Sequence, residues 1–474
     1  MGDSQTTSGL DLLLELPPGP GRRAALERAL HDAIRSGRLP PGAPLPSSRA
    51  LSRDLGIARA TVTEAYAQLA AAGYLATRQG AGTWVARGAG QEDGAEPDEE
   101  RPSAPRFDLR PGLPDLTSFP RAGWLRALRS TLGRATPDVF APGDPRGRAE
   151  LRLALRDYLA RARGVQTSPS RLLVCNGFSQ GLKLVCDVLR AGGARRVAVE
   201  DPSLFLLPPI IRAASLEVVP VPVDEAGIQV DRVLEVDADA VLVTPAHQFP
   251  LGATLGPERR SALLRWAVER DAYVIEDDYN GEFRYDRKPV GAMQGLDPGR
   301  VIYAGTSSKT LAPGLRLAWL AFPPTLVESA TELRDIADRS APALDQLALA
   351  EFVESGEFDR HVRRMRLRYD ARRDRLTSAL ADVAPGLALT GIAAGLHAIL
   401  ELPDDLPEER VLALAEQRSV GLTGLGRFRL GAYRGPQALV IGYATPPEHG
   451  FPGALRALRS LLAALWNPGR GLQI

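Results

Sequence analysis

Lysine is nearly missing from this chain of 474 residues: of its 58 Lys and Arg side chains, only Lys183, Lys288 and Lys309 are lysines. Cysteine is scarcer still. Cys175 and Cys186 sit in apolar surroundings with few of the chain's five histidines nearby, which argues against a disulfide framework or a metal site and for two buried free thiols. Long apolar runs are missing too, since none reaches the roughly 18 residues that a spanning helix needs. The opening stretch MGDSQTTSGLDLLLELPPGP is acidic and polar, unlike a basic-apolar-small leader. These absences exclude a membrane partner and lead us to expect a cytoplasmic protein. What is present is ordinary for soluble chains: 44% hydrophobic and 24% charged residues, enough for sizeable cores, at a length that suits roughly two to four domains.

The net charge of +1 conceals a strong asymmetry. Residues 20–87 carry ten arginines against Glu27, Asp32, Asp54 and Glu64, a net of +6. Residues 88–106, GAGQEDGAEPDEERPSAPR, hold six acids and two arginines and almost no apolar side chain. Such a segment cannot bury enough surface to fold, so it reads as an acidic linker. The resulting division is a flexible N-terminus at 1–19, a small basic unit at 20–87, the linker at 88–106 and a large near-neutral unit at 107–474. No internal repeat is visible.

In the basic unit Leu26, Leu30, Ala33 and Ile34 recur at helical spacing until Gly37 and the Pro40–Pro41 pair. Ser47 or Ser48 caps a second short helix that turns Ala50, Leu51 and Leu55 inward. A third carries Val62, Ala65, Tyr66 and Leu69, and GYLATRQGAGTWVA then supplies two β-rich runs around a glycine turn. That order of elements describes a winged helix-turn-helix, and with its positive charge it points to double-stranded DNA. Arg59, Thr61 and Thr63 lie off the apolar stripe near the start of the third helix, with Arg49 and Arg53 on the helix before it, as contacts to base edges and phosphates would require. Gly80 and Gly82 allow the wing backbone to approach a phosphate. The stretch SGRLPPGAPLPSSRALSRDLGIARATVTEAYAQLAAAGYLATRQGAGTWV resembles the DNA-binding domain of GntR-type regulators nearly end to end. It departs from them at Ala58, where that family places a capping serine, a loss of about 1 kcal/mol.

From Phe107 on, the apolar runs RLLVC, RVAVE, AVLVT, AYVIEDD, RVIYAG and LRLAWLAF alternate with helical patterns at 181–190, 204–214 and 257–270. Apolar strands alternating with helices predict an α/β unit whose mostly parallel sheet is covered on both faces. Ligands gather at the carboxyl ends of such strands, and the chemistry-bearing residues fall there. CNGFSQGLKL runs from strand through glycine turn to helix, so the amides of Gly177, Phe178 and Ser179 face an anion. VIEDDYNGEF sets Asp277 and Tyr279 at the end of a buried strand. TSSKTLAPGLRLAWL places Thr306 and Ser308 beside Lys309, with Arg316 beyond. Hydroxyls and a planar cation make a phosphate clamp, and Lys309 is the one cation there that can lose its proton and form a Schiff base.

Amine, pyridinium partner, ring-oxygen donor and phosphate cradle are together the parts that hold pyridoxal 5'-phosphate (PLP). TSSKTLAPGLRLAWL, VIEDDYNGEFRY, VTPAHQFPLG and VEDPS resemble the aminotransferase-like domain of fold-type I PLP proteins, which carries a smaller C-terminal subdomain. A GntR-type head ahead of that domain resembles the MocR/PdxR regulators over residues 20–474. The resemblance implies that Lys309 forms the Schiff base, Asp277 meets the pyridine nitrogen and Tyr279 meets the ring hydroxyl. Lys183 and Lys288 read as solvated surface.

Three departures bear on turnover. Leu204 stands where the family stacks an aromatic ring, with Phe205 one place off. HQFPLG lacks the Asn-Pro-x-Gly of true aminotransferases. Val440 stands where related chains place an arginine for the substrate carboxylate, and the reading does not rest on Arg427 or Arg429 as substitutes. The expectation is therefore a homodimeric, PLP-binding transcription regulator rather than an enzyme. Its affinity for a DNA operator would respond to PLP itself or to an amino-acid-type effector, with control of vitamin B6 supply as the concrete version. An active aminotransferase with a DNA-binding head, or a DNA-binding dimer with a degenerate PLP site, are the alternatives.

Overall fold

The structure is a computed structural model, and it describes residues 21–78, 82–86, 104–285, 290–381, 389–391, 393–431 and 435–465, with Leu16 and Val383. Gly80, Lys288 and most of the acidic linker lie outside the described residues. The chain divides into two compact units, Met1–Ser103 and Ala104–Ile474. Among the described residues no helix is long and apolar enough to cross a membrane.

The first unit runs α1 (Arg22–Arg35), β1 (Pro44–Leu45), α2 (Ser48–Asp54), α3 (Arg59–Ala71), β2 (Leu75–Arg78) and β3 (Gly82–Val85). The inward stripe read from the sequence forms its core, Leu26, Leu30, Ile34, Leu51, Val62 and Leu69 all being buried together. Of the two candidate caps it is Ser47 that accepts from the Ala50 amide, at 3.2 Å. Ala58 begins α3 with no side-chain cap. The wing hairpin β2–β3 gains a third strand the sequence did not announce, as Pro44 and Leu45 pair with Trp84 and Thr83.

The second unit opens with β4 (Phe107–Asp108), α4 (Arg121–Arg134) and α5 (Ala149–Arg163). Strands and helices then alternate: β5 (Leu172–Asn176), α6 (Phe178–Ala191), β6 (Arg196–Asp201), α7 (Leu207–Ala213), β7 (Glu217–Asp224), β8 (Gly227–Ile228), α8 (Val230–Glu235), β9 (Ala240–Val243), α9 (Pro257–Glu269) and β10 (Tyr273–Asp278). The sheet is completed by β11 (Val301–Thr306) and β12 (Leu317–Ala321), giving the order β5-β12-β11-β10-β9-β6-β7-β8. The pairings β10–β11, β9–β10, β6–β9 and β6–β7 are parallel, while β12 runs antiparallel to both its neighbours. This is the mostly parallel sheet expected from the apolar runs.

Successive side chains of a strand point to opposite faces, and both faces are covered. Leu173 and Cys175 join Leu182, Val185 and Leu189 of α6 on one side. Leu172 and Val174 join Leu151, Leu155 and Leu159 of α5 on the other. Burial holds both thiols, Cys175 and Cys186, at about 12, and neither is bonded.

Helices α10 (Val327–Asp338), α11 (Ala343–Glu354) and the long α12 (Glu357–Ala381) lead to a smaller lobe built from β13 (Leu389–Thr390), β14 (Ala398–Glu401), α13 (Glu408–Gln417), β15 (Val420–Gly421), β16 (Thr423–Gly424), β17 (Ala438–Ile441) and α14 (Phe451–Leu465). Its sheet has the order β13-β14-β17-β16, and β15 pairs with β4, which ties the start of the unit to this lobe.

One ion pair fixes the edge of the large sheet where β10 ends. Arg163, at the end of α5, reaches Asp278 from Nε at 2.6 Å and from its terminal nitrogen at 3.0 Å, and the Tyr303 hydroxyl donates to the same carboxylate at 2.8 Å. Both charged side chains are buried. Removing one partner of a buried pair leaves the other uncompensated, a loss of about 3–5 kcal/mol. Arg163→Leu is expected to destabilise the large unit by that order, measured by denaturant unfolding; a loss under about 1 kcal/mol would show that the pair does not hold this edge.

Candidate functional site

Six strands of the large sheet, β5, β6, β7, β9, β10 and β11, end at one edge, and β12 begins there. A cavity of about 540 Å³ lies over that edge, closed from the other side by the small lobe. Phe178, Ser179, Asp277, Tyr279, Thr306, Ser308, Lys309 and Arg316 all line it, so these residues, up to 138 positions apart in sequence, share one chamber.

Gly177 precedes α6 with φ of +87°, a backbone that L side chains resist. A Cβ there would also stand 2.4 Å from the Arg316 guanidinium, so only glycine admits that arginine. The first amides of α6 have no intrahelical acceptor, as at any helix start. Arg316 itself has φ of +54°, rare for a non-glycine residue, and donates to the Asn176 carbonyl at 2.9 Å. The Thr306 hydroxyl donates to the Ser308 hydroxyl at 2.9 Å and accepts from the Ser308 amide at 3.1 Å. Amides, hydroxyls and a guanidinium thus converge on the turn after β5.

Lys309 donates to the Gly112 carbonyl at 2.5 Å. Burial lowers its pKa below the usual lysine value and nearby Asp277 opposes the shift. Asp277 is 8% exposed, and its Oδ1 has no hydrogen-bond partner. Burial first and Asp278 second push it up to about 8, with Lys309 pulling the other way. A buried carboxylate oxygen without a donor is costly, and it faces the chamber that holds the amine.

The Tyr279 hydroxyl lies 3.0 Å from His247 Nδ1, which the Asn280 amide also approaches at 3.2 Å. Burial holds His247 well below the usual histidine range. Gly395, with φ of +78°, leaves room for it, since a Cβ there would lie 2.4 Å from the imidazole.

Several lining groups were missed by sequence reasoning. Glu200 at the end of β6 is buried, accepts from the Thr244 hydroxyl at 2.5 Å, and is raised by burial to about 7. His397, near the strand β14, donates to the Pro250 carbonyl at 2.8 Å and is lowered by burial to about 4. Arg110, Phe249 and Phe428 complete the walls. A usable signal existed in the histidines: two of only five in the chain meet here, with ring centroids 5.4 Å apart.

Leu204 and Phe205 both line the cavity, so an aromatic ring is present although Leu204 holds the stacking position. Val440 is fully buried and packs with Ile399, Leu425, Phe428 and Ala438. Lys183 is half-exposed and pairs with Asp187 at 2.5 Å, away from the cavity.

In the head, Arg49, Arg53, Arg59 and Thr63 are exposed and Thr61 is half-buried. Arg59 points its Nε to the Ser48 hydroxyl at 3.4 Å, which brings the start of α3 against the start of α2. Thr63 donates to the Arg59 carbonyl at 3.0 Å. Gly82 is exposed with φ of +99°.

Comparison with known proteins accounts for both units. Residues 120–449 match the model for aminotransferase class I and II, and residues 22–85 match that for bacterial regulatory proteins of the gntR family. The pyridoxine biosynthesis transcriptional regulator PdxR of Corynebacterium glutamicum is 34% identical over 427 residues, covering 89% of this chain and 92% of its own. The probable rhizopine catabolism regulatory protein MocR of Rhizobium meliloti is 31% identical over 474 residues, covering 94% and 95%. Among solved structures, an archaeal alanine:glyoxylate aminotransferase superposes with a TM-score of 0.69 at 26% identity, over 76% of this chain and 91% of that one. A winged head on an aminotransferase fold, aligned nearly end to end with these regulators, places the chain in the MocR/PdxR group of GntR-type transcription regulators.

Proposed function

We propose that this protein binds PLP on Lys309 and uses it to sense PLP or an amino-acid-type ligand, changing its affinity for a DNA operator. The observation that carries the reading is the single chamber that holds a neutralisable amine, an unsatisfied buried carboxylate and the Gly177–Arg316 cradle. These residues fit PLP. When bound, PLP supplies an aldehyde that condenses with primary amines, a basic ring nitrogen and a phosphate.

Lys309 gives the amine, and its lowered pKa favours the neutral, nucleophilic form. Asp277 Oδ1 offers the buried acceptor for a protonated ring nitrogen. Tyr279, steadied by His247, presents its hydroxyl to the ring oxygen. The amides of Gly177, Phe178 and Ser179, the hydroxyls of Thr306 and Ser308, and Arg316 hold the phosphate. The apolar surroundings of Val440 support sensing over turnover, because a carboxylate placed there would lie unpaired.

In the head, Arg49, Arg53, Arg59, Thr61 and Thr63 meet DNA with the wing at Gly82. A homodimer formed through the large unit would bring two heads to paired half-sites, and the exposed Leu125 and Leu132 of α4 with Phe140 beyond it support such an interface. Ligand and DNA are then coupled through one two-state dimer. The protein acts in the cytoplasm, and the name of the C. glutamicum relative supports control of vitamin B6 supply.

Lys309→Ala is expected to abolish the visible absorbance of protein-bound PLP and with it any effect of PLP on operator binding; retention of that absorbance would overturn the assignment. In a gel shift on the promoter beside the gene, Arg59→Ala should weaken binding about tenfold or more and leave PLP absorbance unchanged. Unchanged DNA affinity would remove Arg59 from the interface.

A pH dependence follows from Asp277. Its folded pKa of about 8 lies above its ordinary value of 3.8, so the folded protein binds the extra proton and stability falls as pH rises through that window. In PLP-free protein, Asp277→Asn should therefore flatten part of the loss between about pH 4 and about pH 8. Identical pH profiles for the two proteins would show that Asp277 is not the buried acid.

A further inference from the structure

The turn after β5 is held from behind by side chains outside the cavity. Gln180 lies in the first turn of α6, yet it does not line the cavity and bonds back along the chain instead. Its Oε1 accepts from the Asn176 amide at 2.6 Å, and its own side-chain amide donates to Asp338. Asn176 donates from Nδ2 to the same Asp338 oxygen at 3.1 Å. Side chains from both flanks of Gly177 thus meet on one carboxylate oxygen. The backbone between them is the part that accepts Arg316, at the Asn176 carbonyl.

Asp338 is fixed in turn. Its other oxygen lies 3.1 Å from the Arg334 guanidinium, one turn earlier on α10. Arg334 is 1% exposed, and its Nε and one terminal nitrogen have no partner among the described residues. A buried cation with so few acceptors depends on its carboxylate, and the pairing offsets the negative charge that Asp338 brings near the turn. The chain then bends sharply. The Ser340 amide donates to the Asp338 carbonyl at 2.7 Å across Arg339, whose φ of +62° and ψ of −67° form a three-residue turn that side chains resist. Such a strained residue persists only where its surroundings over-determine it.

A cradle made of backbone amides has no side chain of its own to correct its aim. The amides of Gly177, Phe178 and Ser179 point where the glycine turn points, and Arg316 follows through the Asn176 carbonyl. Gln180 ties the strand side of that turn to its helix side, and Asp338 ties both to α10. We infer that Gln180, anchored on Asp338, is the positioning residue of the phosphate cradle, aiming the 177–179 amides and Arg316 without touching the ligand. The inference rests on the reading that PLP occupies the cavity with its phosphate at Gly177–Arg316.

The test compares full-length wild type with Gln180→Met, Gln180→Ala, Asp338→Asn and Arg316→Gln. PLP is titrated into each and followed by visible absorbance, and phosphorus NMR is recorded on the bound cofactor at saturation. Both Gln180 variants should bind PLP about tenfold more weakly, the order set by one hydrogen bond to a charged group. They should also move the bound phosphorus resonance in the same direction as Arg316→Gln does, with Asp338→Asn following them. A general loss of stability would weaken binding and leave the resonance in place. The inference is overturned if either Gln180 variant keeps the wild-type affinity, if the resonance does not move, or if Asp338→Asn matches wild type in both readouts. Wild type that holds no PLP, or Arg316→Gln that matches wild type in both readouts, overturns the reading beneath it. Arg316→Gln that departs from wild type while the Gln180 variants do not overturns the inference alone.

Discussion

Arg163 and Asp278 meet almost fully buried, and the order of the cavity edge depends on their pairing. A carboxylate and a guanidinium are tolerated there because the fork geometry and the Tyr303 hydroxyl answer the carboxylate's lone pairs. Arg163 also donates to the Gly281 carbonyl at 3.2 Å, so it grips the turn just past Tyr279. With β10 fixed on this side, the alternation of the strand turns the preceding residue, Asp277, to the opposite face. Two adjacent aspartates thereby receive opposite fates. Asp278 is saturated by protein donors, while Asp277 keeps an oxygen without one.

The same economy of partners marks the seam between the lobes of the large unit. Asp201 and Glu408 are both buried, and both spend their oxygens on backbone amides of the segment from 426 to 438. Asp201 does so across from the large sheet and Glu408 from within the small lobe, and together they set one wall of the cavity. The cavity is lined by strand ends of the large sheet and by that wall, so a ligand in it would touch both lobes. Such contacts give differential interaction energy, the requirement for any ligand to shift a conformational equilibrium.

Much of this was legible from particular residues. The head could be read because its signals are local: helical spacing of Leu26, Leu30 and Ile34, a capping serine at 47, an uncapped start at Ala58. The large sheet could be read because parallel strands buried on both faces appear as unbroken apolar runs. Lys309 stood out because arginine supplies nearly every other cation, and Asp277 and Gly177 because they close such runs. His247, Glu200 and His397 were not legible. Each is an ordinary polar residue in sequence, and its role comes from neighbours on other strands. The stretch HQFPLG was noticed for the asparagine it lacks, while the histidine that supports Tyr279 stood two residues earlier. Arg427 and Arg429 were indistinguishable on paper, separated by a single phenylalanine, yet Arg427 lines the cavity while Arg429 donates to the Gly435 and Pro436 carbonyls.

The sequence by itself determined which segments become helix and strand, where a basic head ends, and which lysine sits among small hydroxyl residues at a strand end. Those properties depend on periodicity, composition and nearest neighbours along the chain. Only the tertiary structure decided which of two adjacent aspartates is left unsatisfied, which of two nearby arginines reaches the cavity, and that Val440 lies in a dry cluster. Those outcomes depend on which donors other strands and the second lobe bring within about 3 Å, since a hydrogen bond or ion pair exists only at that range.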